Sequence, residues 1–108
     1  MHLPINTPVQ LAITDSKGFH LTFDNGCTAS VQFGYGNYCR TNQLRYGIIP
    51  KGGVASPNAE VAAWDATGSW IHPEGFDFDG DNALALLTPN EVLKFLQAVA
   101  EYPNAQTT

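Results

Sequence analysis

Residues 19–33, FHLTFDNGCTASVQF, decide the fold. Phe19, Leu21 and Phe23 alternate with His20, Thr22 and Asp24. Cys27, Ala29, Val31 and Phe33 alternate with Thr28, Ser30 and Gln32. Successive side chains of a strand point to opposite faces. Each run therefore has one apolar face and one small polar face, as in a strand half buried in an antiparallel sheet. Asp24-Asn25-Gly26 separates the two runs. A hairpin turn needs positive φ at its centre, which Asn and Gly tolerate, so 19–33 reads as a β-hairpin. Upstream, Val9, Leu11 and Ile13 alternate with Gln10, Ala12 and Thr14, and Asp15-Ser16-Lys17-Gly18 is turn chemistry. A three-strand meander over 9–33 is expected.

Working downstream, residues 41–58 are punctuated by Pro50, Gly52, Gly53 and Pro57, which leave room for a short strand over Leu44–Ile49. Glu60–Asp65 alternates again. Asp65-Ala-Thr-Gly68 is a second turn, and Ser69–His72, cut by Pro73, is the expected return strand of a second hairpin. Ala83–Leu87 is a short apolar run, either a strand or a buried link. Thr88-Pro89-Asn90-Glu91 is a capping box with proline at the first helical position. Val92, Leu93, Phe95, Leu96, Val99 and Tyr102 form one apolar stripe behind it, and Pro103 ends the helix. The expected architecture is α+β: an antiparallel sheet of five or six strands, including two hairpins, with one C-terminal helix on a face. The chain reads as a single domain over 1–108, with an extended lead-in at 1–8 and a frayed tail at 103–108. The face opposite the helix carries Thr22, Thr28, Ser30, Gln32 and Trp64, a surface for a partner subunit.

Composition narrows the function. The chain carries five basic residues against ten acidic, a net charge of −5. That argues against general nucleic-acid binding, which needs a basic face to displace counterions from phosphates. The charges are unevenly placed: Arg40, Arg45 and Lys51 cluster, as do Glu74, Asp77, Asp79 and Asp81. Such a field steers a charged ligand or partner. The first residues, MHLPINTP, lack the basic head and apolar run of a secretory leader, and no stretch has the length of a membrane span. The cytosol is the expected compartment, with Cys27 and Cys39 reduced and Cys27 in the core.

The sequence offers three kinds of candidate site. Asp77-x-Asp79-x-Asp81 copies the opening of a calcium loop, but Asn82 stands where the loop needs glycine and Thr88 where it needs a bidentate glutamate. His2, His20 and His72 show no ligand spacing, so no metal or cofactor is expected. Cys39 with a histidine lacks any recognisable nucleophile context, and Gly34-x-Gly36 and Lys51-Gly52-Gly53 are not phosphate loops. The third is the strongest. Tyr35, Asn37, Tyr38, Arg40 and Arg45 follow the first hairpin and interleave rings, amides and guanidinium groups among glycines. Rings stack on bases, and guanidinium groups hold phosphate oxygens through paired hydrogen bonds. Trp64 and Trp70 are expected to wall that site. The bland reading is that these aromatics only cap a small core.

FDNGCTASVQFGYGNYC, then AEVAAWDATGSWI, then TPNEVLKFL resemble a group of small uncharacterised proteins of phages and prophages, over most of residues 22–100. The resemblance implies an accessory protein of a mobile element and transfers no catalytic residue. Such proteins are often antagonists of bacterial immunity. The expected function is thus a non-enzymatic, homo-oligomeric sponge that sequesters a small anionic nucleotide signal, without direct nucleic-acid or membrane binding. The alternative is a protein–protein inhibitor of a host defence complex, anti-CRISPR-like, acting through Glu74, Asp77, Asp79 and Asp81. A third, weaker alternative is a signal-degrading hydrolase.

Overall fold

A computed structural model describes residues 9–14, 18–33 and 55–103. The lead-in, the 34–54 stretch with Tyr35, Asn37, Tyr38, Cys39, Arg40, Arg45 and the expected Leu44–Ile49 strand, and the tail beyond 103 lie outside the described residues. Five strands and one helix follow in order: β1 Gln10–Thr14, β2 Gly18–Thr22, β3 Thr28–Gln32, β4 Ala59–Trp64, β5 Ala83–Leu87 and α1 Pro89–Ala100. The sheet runs β1-β2-β3-β4-β5, and every neighbouring pair is antiparallel. This is the α+β architecture that alternation and the capping box predict.

Register sets the two faces. Leu11, Leu21, Ala29 and Ala63 share one row, and Ile13, Phe19, Val31 and Val61 share another. Ala29, Ala63 and Ala59 are buried, and so are Phe95 and Val99 of α1. Small residues on β3 and β4 let the helix come close, and Phe95 fills the space above them. Cys27 is buried in this layer, and desolvation raises its thiol pKa above the ordinary value, with the Asp65 charge adding to the effect.

Three details differ from expectation. The first turn is a three-residue loop. Phe23 N–H donates to Cys27 O at 2.9 Å and Gly26 N–H donates to Phe23 O at 3.0 Å, with only Gly26 at positive φ, +86°. That is a β-turn closed by a left-handed glycine, not an Asn-Gly pair both left-handed. Second, Ser69–His72 is not a return strand. Trp70 forms one isolated bridge with Trp64, and Pro73 follows too soon for the pairing to extend. The rest of that edge of β4 pairs with β5, which settles Ala83–Leu87 as a strand. Third, Leu93 is exposed. At the helical repeat it stands about 100° from Val92, off the centre of the stripe.

Both ends of α1 are tied down. Glu91 N–H donates to Thr88 Oγ1 at 3.4 Å, and Thr88 N–H donates to Glu91 Oε1 at 2.9 Å. The last turn holds no basic residue. Asn25, from the β2–β3 turn, serves there instead. Its Nδ2 donates to Val99 O at 2.8 Å, Ala100 O at 3.1 Å and Tyr102 O at 3.0 Å, while its Oδ1 accepts from Cys27 N–H at 2.9 Å. Among the described residues, no helix is long and apolar enough to cross a membrane.

Candidate functional site

The face away from α1 is built on β3. Thr28, Ser30 and Gln32 point to it, with Thr22 and His20 from β2, Thr14 from β1 and Trp64 from β4. The hydroxyls and amides are cross-linked. Thr22 and Thr28 share a hydrogen bond of 2.8 Å between their hydroxyls, and Gln32 Nε2 donates to Thr14 Oγ1 at 2.7 Å and to Ser30 Oγ at 3.2 Å. β3 carries only short side chains at Thr28 and Ser30, so rings from the strands on either side reach across it. His20 and Trp64 meet edge to face, with centroids 5.1 Å apart. Trp70 stands edge to face on Trp64 at 5.8 Å, and the residue is 53% exposed. Thr22, Thr28 and Ser30 are buried although no helix covers them. The result is a chain of three rings above a satisfied hydroxyl floor, open to solvent at Trp70.

A cleft of about 150 Å³ opens beside Trp64, lined by Gly26, Thr28 and the Asp65–Gly68 turn. It is smaller than an ordinary ligand pocket, about 300–1,000 Å³, so it suits a substituent of a molecule lying on the rings. Asp65 is committed to its own turn. It accepts from Thr67 Oγ1 at 2.6 Å, Thr67 N–H at 2.9 Å and Ser69 N–H at 3.0 Å. The Thr67 hydroxyl leads these bonds in holding the carboxyl below its usual range.

Burial lowers the pKa of His20 from its ordinary value of 6.5. The unfolded chain therefore binds the proton first as pH falls. Stability contributed by neutral His20 is present above the unfolded value and declines as pH drops through it towards the folded one. The urea midpoint of wild type minus that of His20→Gln is expected to be larger at pH 7.5 than at pH 5. An equal difference at both would place His20 in water.

The structure brings Trp64 and Trp70 together, edge to face. Tyr35, Asn37, Tyr38, Arg40 and Arg45 lie outside the described residues. Trp64 pairs with Thr28, four residues along from the Gln32↔Glu60 pair where the chain leaves β3 towards Tyr35. At strand rise that separation is about 13 Å. Nothing local in the sequence marks His20 for a role on this face. Its parity with Thr22 was legible, but its contact with Trp64 depends on the register of three strands.

The acidic loop takes a different form. Phe76 and Phe78 pack on Phe95, with centroids at 5.4 and 6.4 Å. His72 stacks on Phe78 at 4.5 Å, and its Nε2–H donates to Asn82 Oδ1 at 2.8 Å. Glu74, Asp77, Asp79 and Asp81 are exposed between these anchors. Asp77 Oδ1 accepts from Asp79 N–H at 3.0 Å, which helps to hold Asp79 at φ +49°. Among the described residues, no three His, Cys, Asp or Glu side chains converge as metal ligands.

No family model, curated protein or solved structure matches this chain.

Proposed function

We propose that this chain is a non-enzymatic binding protein that sequesters a small anionic nucleotide. Its base would stack on Trp70 and Trp64, while Tyr35, Asn37, Tyr38, Arg40 and Arg45 hold its phosphates and ribose. In the bacterial cytosol such a protein would act as a sponge for an immune signal, by analogy with the small accessory proteins of mobile elements that antagonise bacterial immunity. The observation that carries the reading is the half-exposed Trp70 ring held on Trp64 beside a hydroxyl floor. Every base has a π-face, and stacking on an aromatic contributes about 1–3 kcal/mol per base.

The test is thermal shift and tryptophan fluorescence with cyclic dinucleotides and with ADP-ribose. One of these is expected to raise Tm and quench fluorescence. Trp70→Ala is expected to weaken that binding by about 5- to 150-fold, the range of one stacked base. Arg40→Ala is expected to weaken it as well, through loss of a phosphate contact. No shift with any of these compounds, in protein whose unfolding is cooperative, defeats the proposal.

One observation favours a second reading, a blocker of a basic surface on a host defence complex. Glu74, Asp77, Asp79 and Asp81 stand outward on a loop pinned by Phe76 and Phe78. Charge reversal at Asp77, Asp79 and Asp81 separates the two. Under the blocker reading it abolishes inhibition and Arg40→Ala spares it; under the sponge reading the outcomes exchange.

A further inference from the structure

The two edges of the sheet differ. On β5, Ala85 and Leu86 together stand opposite Glu60, because Ala59 pairs with Leu87 and Val61 with Leu84. That is a β-bulge, and Leu86 sits at φ +61°, in the left-handed region that leucine disfavours. A bulge bends an edge and spoils it as a template for another strand. β1 has no such device. Its five residues pair with β2 without a slip, from Gln10↔Thr22 to Thr14↔Gly18. Val9 to Thr14 contains no proline and no charge. Among the described residues, no strand pairs with its outer side.

The side chains of this edge are also uncovered. Val9, Leu11 and Ile13 lie on the α1 side of the sheet, but α1 packs over β3, β4 and β5. They are 67%, 80% and 85% exposed. Phe19 and Leu21, beside them on β2, are only half-buried, so the apolar strip continues inward. Three consecutive same-face aliphatics on an unblunted edge form an interaction surface.

We propose that this edge is the seam of a homodimer, in which β1 pairs antiparallel with β1 of a second copy about a two-fold axis through Leu11. The sequence of the strand is self-complementary in that register. Leu11 meets its own symmetry mate, Val9 meets Ile13 of the other copy, and Gln10 meets Ala12. An antiparallel strand pair is itself two-fold, as a closed dimer requires. Two chains of net charge −5 repel each other, but pairing along the uncharged Val9–Thr14 stretch opposes no like charges. A stable interface takes roughly 800 Å² from each partner, and a bare strand seam falls short of that. The Val9, Leu11 and Ile13 side chains of the two copies meet across the seam and add apolar contact to it. The axis stands normal to the sheet, so both helices lie on one side of a ten-stranded sheet and both Trp70 rings on the other. This dimer rests on β1 alone and is independent of what binds at Trp70.

The test is sedimentation of the full chain at micromolar concentration, with Leu11→Glu, Leu11→Lys and their equimolar mixture. Wild type is expected at twice the 11.7 kDa chain mass. Each variant is expected to be monomeric, with a dissociation constant raised by at least about a hundredfold, because like charges oppose across the axis. Both should keep a cooperative melt near that of the wild-type chain at low concentration, since Leu11 is exposed in the single copy. The mixture is expected to restore the dimer, glutamate facing lysine. A monomeric wild type, a dimer that survives in either single variant, or a mixture that stays monomeric would each overturn the proposal. A wild-type monomer would assign the edge to a strand of another protein or to this chain's own residues.

Discussion

Phe95→Ala is expected to lower stability by about 3–5 kcal/mol, a large share of the roughly 5–15 kcal/mol that holds a domain of this size. Phe95 is 0% exposed. It fills the space over the alanine floor of β3 and β4, and the rings of Phe76 and Phe78 rest on it. Truncation removes transfer free energy and leaves a cavity that three separate elements would have to collapse into. It also removes two aromatic contacts, each of about 0.5–1.5 kcal/mol beyond area. Urea denaturation measures the loss as a lower midpoint at unchanged slope. Phe95→Leu, which keeps most of the volume, should lose clearly less and serves where the alanine variant does not fold. Amide exchange in residues 74–82 should rise in both, because that loop is tied to the core through Phe95. A loss below about 1 kcal/mol for alanine would contradict the packing, since truncating a buried phenylalanine to alanine costs about 3–5 kcal/mol.

The second large effect belongs to a turn residue. Asn25→Asp is expected to cost about 3 kcal/mol near pH 7, and Asn25→Ala about 1–3 kcal/mol. Alanine removes the donor shared by Val99 O, Ala100 O and Tyr102 O. Aspartate keeps an acceptor for Cys27 N–H but places negative charge against three carbonyl oxygens at the negative end of the α1 dipole, adding up to about 1 kcal/mol. The sign of the pH dependence follows. The introduced carboxyl has a folded-state pKa raised above its unfolded value of about 3.9. The folded state therefore binds its proton more tightly, and the penalty of Asn25→Asp shrinks as pH falls through the folded-state pKa. Asn25→Ala shows no such relief. Urea midpoints of both variants across this range check the result. A penalty for aspartate that does not change with pH would mean that Asn25 does not face the carbonyls.

Both residues were visible in the sequence, though for other reasons. Phe95 lay on the predicted helix stripe. Asn25 reads locally as backbone chemistry, a residue tolerant of left-handed φ. In the folded chain Gly26 takes the left-handed position, and Asn25 spends its amide on a helix 74 residues further along. Nothing local marks that role. The one hint is an absence, a helix whose last turn lacks a basic side chain.

The candidate site divides in the same way. Alternation alone assigns Thr28, Ser30, Gln32 and Trp64 to one face. The ring chain His20–Trp64–Trp70 was not legible, because it joins β2, β4 and the segment after the turn across a strand of short side chains. The return strand expected at Ser69–His72 failed for a related reason. Pro73 limited its pairing, and β5 took the rest of the edge.

Sequence alone determined the period of each strand, the capped start and apolar stripe of the helix, and with them a sheet carrying a helix on one face. These are properties of neighbours two, three or four residues apart, where backbone geometry decides which way a side chain points. Tertiary structure decided which edge of the sheet stays regular, which rings touch and where Asn25 donates. Those depend on register and on the path of long connections. Adjacent strands meet at separations that periodicity does not encode, and one residue of slip would send each of those side chains to the other face.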